Sequence, residues 1–365
     1  MDDRPYRLLL HGFDTLQCAY YLHAKEDGIF DFRELAVNKE ALQHRKSKDP
    51  EMIVIGEELF HLYPYGTSSG YPFLLSSGDF KIECGEFNNP SFFVTFKSQG
   101  LWRSSAYELH EKFLAWAISV GLTPVRTKSL TRVDYCFDYH LTEIDFDEDS
   151  FVSRSTKDSQ YRENRKVQTF TLGRGDITLR VYDKVAEISE QSDKVWFYDL
   201  WKQDKDVWRI EWQVRKPVLR QFGIVTFEDL RQSCGDLLRH LAEEHTTLRI
   251  PKSDPNRSRW QLHPLWTDLQ EKIGELDRIG VCRIDGRDAV LEERKIRIGI
   301  SVYGYLKRMG AIVCVQDQKG LIPLEEAISH LRYYMGKIHD ELNWANDVKK
   351  RIDAIECGEW RPKKK

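Results

Sequence analysis

The chain is 365 residues long, 41% hydrophobic and 12% aromatic, with a formal net charge of −3. That much apolar material buries a large core, suggests two domains and excludes a disordered chain. The small net charge gives no global basic signature, so affinity for nucleic acid has to come from a local patch. Seven cysteines, odd in number and without CxxC spacing, read as reduced thiols. With no signal-peptide pattern and no apolar run of about 18 residues apparent, the expectation is a cytoplasmic protein with no membrane partner.

From the N-terminus, RLLLHGFDTLQCAYYL alternates, and Gly12-Phe13-Asp14 is expected to break it into two apolar strands. Asp14 reads first as a turn former at that bend and second as a ligand. Residues 24–50 are charged and read as a helix and a loop. Tyr63 to Gly78 is dense in Gly, Ser and Pro, and the strand candidates FKIECGEF and SFFVTFKS then begin an antiparallel meander. Between Tyr107 and Val120, Leu109, Phe113, Leu114, Ala117 and Ile118 recur at helical spacing with Gly121 as the stop, so a helix packs on the sheet.

TRVDYCFDY, from Thr131 to Tyr139, puts Val133, Tyr135, Phe137 and Tyr139 on one face and Arg132, Asp134, Cys136 and Asp138 on the other. Its two carboxylates stand about 7 Å apart, twice the rise per residue. The polar passage 142–166 reads as a short helix and a mobile loop that carries Tyr161 among Arg154, Lys157, Arg162, Arg165 and Lys166. TFTLGRGDITLRVYDK, from Thr169 to Lys184, is a hairpin turning at Gly173-Arg174-Gly175-Asp176. Its second strand separates Ile177, Leu179, Val181 and Asp183 from Thr178, Arg180, Tyr182 and Lys184. Arg180 and Lys184 are expected to lower the Tyr182 pKa from about 10 and so activate the phenol as a nucleophile. A solvated outer face is the ordinary alternative for such a strand.

After a helical stretch from Val185 to Tyr198, WRIEWQVRK places Trp208, Ile210, Trp212 and Val214 opposite Arg209, Glu211, Gln213 and Arg215. Three strands far apart in sequence thus each carry an oily and a charged face. Convergence of the charged faces on a divalent cation and a phosphate would account for Asp134, Asp138 and Glu211 among arginines. Carboxylate ligands without a His or Cys pair point to Mg²⁺ or Mn²⁺, away from zinc. Residues 226–248 read as a helix capped by Thr226. IPKSDPNRSRWQLHPLW reads as a domain boundary, in which Asn256, Arg257, Arg259 and Trp260 are either a phosphate-and-stacking contact or a plain linker. The remainder reads as helical, chiefly Leu291 to Met309 and Leu324 to Ile352, with a short strand pair near Ala311 to Val315 and a basic tail, RPKKK.

In their order and separation, TRVDYCFD, TFTLGRGDITLRVYDK and WRIEWQVRK resemble the replication initiation factor family, which contains rolling-circle plasmid and phage initiators and relaxases of integrative conjugative elements. LRQSCGDLLRHLAEEHTTLRIP, NRSRW and HPLW extend the resemblance, which spans roughly residues 80–270. It implies a nicking-closing enzyme that uses a tyrosine and a divalent metal on single-stranded or hairpin DNA at an origin, without a His-x-His motif, and this chain has none. Carried over residue by residue, it implies Tyr182 as nucleophile with Lys184 as its partner cation, and Asp134, Asp138 and Glu211 as the acidic positions. The family's Gly-Ser-Arg turn is Gly173-Arg174-Gly175 here, and its Ser-Gly-x-Gly stretch is Lys97-Ser98-Gln99-Gly100. One family ligand is therefore missing or replaced, with Glu83, Glu86 and Asp14 as candidates. Tyr161 stands as the alternative nucleophile, and Arg132, Arg174, Arg209 and Arg215 as the expected DNA-phosphate contacts. A host helicase and a homodimer are further candidate partners.

The expected fold class is α+β, a twisted antiparallel sheet with helices on one face and an open DNA-binding face, followed by a helical C-terminal domain. Residues 1–250 form the expected nicking domain, with the sheet core at about 80–216, and 251–365 a linker and mainly helical domain. The function expected is strand nicking that leaves a 5′-phosphotyrosine and a free 3′-hydroxyl. A metal-dependent hydrolytic nuclease and a non-enzymatic origin-binding or regulatory protein are the rival readings.

Overall fold

In chain order the N-terminal elements are β1 (Tyr6–Ala24), α1 (Phe32–His44), β2 (Glu51–Ile55), β3 (Glu58–Leu62), β4 (Phe73–Ser76), β5 (Phe80–Cys84), β6 (Phe92–Phe96), α2 (Ser98–Arg103) and α3 (Ala106–Ser119). They lead into β7 (Leu122–Leu141), β8 (Phe151–Ser153), β9 (Asp158–Glu163), β10 (Lys166–Leu172), β11 (Ile177–Asp183), α4 (Lys184–Glu187), α5 (Trp196–Trp201) and β12 (Val207–Arg215). Then come α6 (Lys216–Gln221), α7 (Phe227–His240), β13 (Thr246–Leu248), α8 (Pro264–Gly274), α9 (Arg287–Asp317), α10 (Leu324–Ile338) and α11 (Glu341–Ala354). This computed structural model describes residues 6–46, 48–163, 165–280, 287–318 and 320–354. The chain divides into two compact units, Met1–Arg283 and Ile284–Lys365.

The fold is α+β. Among the described residues, eleven strands form one antiparallel sheet in the order β2-β3-β4-β5-β6-β1-β7-β12-β11-β10-β9, and β8 pairs separately with β13. The strands expected between residues 80 and 216 are present, but β1 is not broken at Gly12-Phe13-Asp14. Instead β1 and β7 run side by side along most of their length, with several register shifts. One shift falls between Phe13 and Thr15, which face Tyr135 and Asp134. Asp14 is the extra residue there, so a bulge does what a turn was expected to do, re-aiming one side chain without ending the strand. Two residues earlier, Gly12 lies under the Trp102 ring, where a Cβ would come within 3.0 Å; the absence of a side chain lets α2 pack against the strand.

The oily faces found by alternation do form the core. Tyr20, Phe80 and Phe113 of β1, β5 and α3 pack ring against ring. α3 begins at a capping box on Ser105 and Glu108 and stops at Gly121, whose φ is +86°. On the same side, Phe227 of α7 meets Phe96 edge to face, and Trp266 of α8 meets Trp212 at 5.7 Å. Tyr139 donates from its hydroxyl to Asp268 on α8. Residues 251–274, placed beyond the domain boundary by composition, therefore pack with the sheet unit. Trp260 is buried with its indole N–H on the Asp254 carbonyl, and Arg257 donates to the Phe151 carbonyl.

Other boundaries also move. The passage 142–166 contains β8 and β9, so Tyr161 is on the edge strand of the sheet and not in a loop. Lys184 opens α4 instead of continuing β11. Within the C-terminal unit, residues 311–315 lie inside α9, and Leu324–Ile352 is two helices separated at His339–Asp340. Local β-branched residues suggested strands at 311–315, and helical pairing overrode them. Contrary to the expectation of no such run, Ile298–Asp317 is long and apolar enough to cross a membrane by length and composition. The RPKKK tail lies outside the described residues.

If α8 belongs to the sheet unit, Trp266→Ala removes a fully buried indole and its hydrogen bond to the Ala242 carbonyl. The unfolding free energy of the sheet unit should fall by about 3–5 kcal/mol in urea titrations followed by tryptophan fluorescence. A loss below about 1 kcal/mol would place α8 outside the cooperative core.

Candidate active site

Cross-strand register decides which polar side chains meet. Across β9, β10, β11, β12 and β7, Tyr161, Thr169, Tyr182, Arg209 and Asp138 stand opposite one another in succession. The adjacent row is Ser159, Thr171, Arg180, Glu211 and Cys136, and beyond it Gln213 faces Asp134 and Arg215 faces Arg132. A side-chain period of two puts all of these on one face. The polar faces of the three expected strands thus do adjoin, as neighbours in the order β7-β12-β11.

One half of this face is closed. Arg209, with no exposed surface, donates to both oxygens of Asp138 at 2.6 and 2.8 Å and to Asp14 Oδ1 at 2.8 Å. Trp201 Nε1 also donates to Asp138, at 2.8 Å, and Ser98 Oγ and Lys194 Nζ donate to Asp14. A small second core of Ile188, Phe197, Trp201 and Val207 lies over these charges. Burial by itself would raise the Asp14 carboxyl, but Arg209, then Lys194 and Lys184, overcome it and hold Asp14 far below the usual carboxylate range.

This arrangement corrects two expectations. Arg209 cannot reach a DNA phosphate, because its guanidinium is enclosed and occupied by two carboxylates. Asp138 does not join Asp134 and Glu211 as a cation ligand, because both its oxygens accept hydrogen bonds from Arg209 and one also from Trp201. The three-carboxylate set therefore does not fit a Mg²⁺ or Mn²⁺ ion, and among the described residues no other group of three His, Cys, Asp or Glu side chains is arranged to hold one. Of the candidate replacements, Asp14 is on this face through its bulge. Glu83 is on β5, where it accepts from Ser69, and Glu86 follows that strand.

The other half is more open. Tyr182 donates from its hydroxyl to Glu211 Oε2 at 2.9 Å, and Arg180 reaches Glu211 Oε1 at 3.6 Å and Gln213 at 3.1 Å. Arg132 forks onto both oxygens of Asp134, with the Nε bond at 2.7 Å. At the rim stand partly exposed Arg132 and Arg180, exposed Arg215 and, on the edge strand, Tyr161 at 54% exposure. Arg174 is exposed in the hairpin turn, which Gly173 and Gly175 make at φ of +91° and +129°.

The electrostatics reverse the expected activation of Tyr182. Burial first, and the charge of Glu211 second, push its phenol well above the ordinary value, and Arg209 opposes them without prevailing. Lys184 is buried, ion-paired with Glu187, and 5.6 Å from the centre of the Tyr182 ring. Burial, then Arg209, lowers its own pKa. Alternation correctly put Arg180 and Tyr182 on one face, but it carried no information on solvent access or on Glu211 directly across the ladder. Asp14 and Lys194 were the less legible members. The interrupted alternation at Asp14 is compatible with a bulge or a turn, and no local pattern marks Lys194.

No family model matches this chain, and no curated protein sequence matches it. Among solved structures, it is similar to a rolling-circle replication initiator protein from Geobacillus stearothermophilus, at 17% identity and a TM-score of 0.44, over 73% of this chain and 97% of that one.

Burial raises Asp134 to about 6; hydrogen bonds from Arg132 oppose the rise and the charge of Glu211 adds to it. Unfolded, the group titrates near 3.9, so between about pH 4 and 6 the folded chain holds a proton that the unfolded chain has released. The contribution of Asp134 to stability therefore falls as pH rises through that window. Carboxyl ¹³C NMR titration should place Asp134 near 6, with Glu211→Gln moving the midpoint down and Arg132→Ala moving it up. Insensitivity to both changes would show that these neighbours do not set it.

Proposed function

We propose that this chain nicks one strand of origin DNA as a rolling-circle initiator or relaxase, with Tyr182 as the nucleophile. The observation that carries the reading is the 2.9 Å hydrogen bond from the Tyr182 hydroxyl to Glu211, on a sheet face rimmed by Arg132, Arg180 and Arg215. A phenol held well above its ordinary pKa is not ionised in advance, so it needs a base in the transition state, and Glu211 is placed to take its proton. Arg180 and Arg132 hold the scissile phosphate, and Arg174 and Arg215 bind the flanking strand. Lys184 packs along the phenol ring and positions it.

Attack of the Tyr182 oxygen on phosphorus, with its proton passing to Glu211, forms a 5′-phosphotyrosine and breaks the bond to the 3′-oxygen, which takes a proton from solvent water and departs as the free hydroxyl. The covalent link conserves the bond energy, so rejoining needs no nucleotide. A second reading uses Tyr161, which shares the row of Tyr182 on the same face and is far more exposed. In that case the Tyr182 hydroxyl and Arg180 hold the phosphate that Tyr161 attacks.

A 3′-labelled single-stranded DNA library, incubated with the protein and Mn²⁺ and run on a denaturing protein gel, should yield a labelled protein band. Tyr182→Phe should abolish the band with binding retained, and Glu211→Gln should slow its formation by about 10²–10⁴. Loss with Tyr161→Phe instead moves the chemistry to the edge strand. Cleavage without any adduct would indicate hydrolysis, and binding without cleavage a non-enzymatic origin binder.

A further inference from the structure

Residues 184–201 form a strap across the polar face, beside and above Tyr182. Phe197 covers the Arg209 guanidinium at 4.5 Å and the Lys184 ammonium at 5.5 Å, and that ammonium stands 5.6 Å from the centre of the Tyr182 ring. Tyr182 keeps only 8% of its surface in solvent, too little for a phosphodiester to come in line with its oxygen.

The strap is held at few points. Lys194 Nζ reaches Asp14 on β1 at 3.0 Å, Trp201 Nε1 reaches Asp138 on β7 at 2.8 Å, and Glu190 accepts from Gln168 on β10 at 3.3 Å. Its apolar contacts belong to the small core of Ile188, Phe197, Trp201 and Val207, separate from the main one. Among the described residues, three buried groups here lack a partner: Ser192 Oγ and Trp196 Nε1 of the strap, and Trp102 Nε1 of α2, whose ring meets Phe197. Water satisfies such groups once they are uncovered, so each of them favours opening. The backbone supplies a bend toward either end. One π-helical turn, Ile188–Ser192, runs into Asp193 at φ of +51°, and Lys202, just beyond α5, has φ of +58°. A left-handed lysine is a sparsely populated conformation of the kind that collects at switch segments.

We propose that residues 188–201 are a lid, hinged at the π-helical turn and at Lys202, latched shut by Lys194 and Trp201, that lifts to admit a phosphodiester to Tyr182. Arg209 is the floor on which it closes. Asp14 and Asp138 keep their bonds to Arg209 when the latches release, so the sheet stays intact. The inference rests on the reading of Tyr182 as the nucleophile, but the motion is observable without DNA.

Two variants push the lid in opposite directions. Lys194→Met removes the latch to Asp14, which retains Arg209 and Ser98, whereas Ser192→Ala removes an unpartnered hydroxyl. In hydrogen exchange of the full chain read by mass spectrometry, amides of 188–201 should exchange about tenfold faster in Lys194→Met and about fivefold slower in Ser192→Ala, with β12 unchanged. Oxidation of the Tyr182 side chain in hydroxyl-radical footprinting should move the same way, and so should the rate of adduct formation on single-stranded DNA. A strap that exchanges as slowly as β12 in the unaltered protein overturns the lid. Strap exchange that responds while Tyr182 oxidation does not would overturn it too, as would an adduct that forms at one rate in all three proteins. A Tyr182 footprint that follows the strap, with no adduct from any of the three, upholds the lid and sinks the nicking chemistry instead.

Discussion

Arg209 is fully enclosed between Asp138 and Asp14, and the polar half of the sheet depends on that ion triad. Each member comes from a different strand, β12, β7 and β1, so the triad ties together three adjacent strands at the centre of the sheet. Burying these charges is costly, and the two-oxygen fork on Asp138 with hydrogen bonds from Trp201, Ser98 and Lys194 offsets the cost. A triad of this kind need not add stability over an apolar replacement. Once present, it makes loss of a single partner severe, because the remaining charge has no solvent to turn to.

The triad also divides the face into regions with different chemistry. Over Asp14, Arg209 and Asp138, the segment from Lys184 to Trp201 closes a small apolar core and keeps water out. Toward β9, and along β12 and β7 toward Arg215 and Arg132, the same face opens. Tyr182 and Glu211 sit at the transition. The phenol is near enough to the closed region for its anion to be disfavoured, yet it remains hydrogen-bonded to a carboxylate on the neighbouring strand. That placement shifts the burden of activation from nearby cations to a base.

The C-terminal unit follows a different economy. The sheet unit exposes large apolar residues singly, such as Phe87 and Val125, whereas α10 keeps an ordered apolar row in solvent with opposite charges beside it. An ordered row is distinct from scattered exposed leucines, which need no explanation.

Much of the fold could be read from period-two alternation. Val133 to Tyr139, Ile177 to Val181 and Trp208 to Val214 each declared an oily and a polar face, and one buried side suffices to define such strands. Alternation is blind to what lies across the ladder or above it. It could not show that Arg209 faces Asp138 and is sealed beneath Phe197, so that a DNA contact and a cation ligand became an internal ion pair. Nor could it bring Asp14 to the site, since that required a bulge against a strand more than a hundred residues later. Residue types and faces are local properties that the sequence by itself determined. Charge pairing, access to solvent and the proton affinity of Tyr182 depend on neighbours from distant strands, and tertiary structure alone decided them.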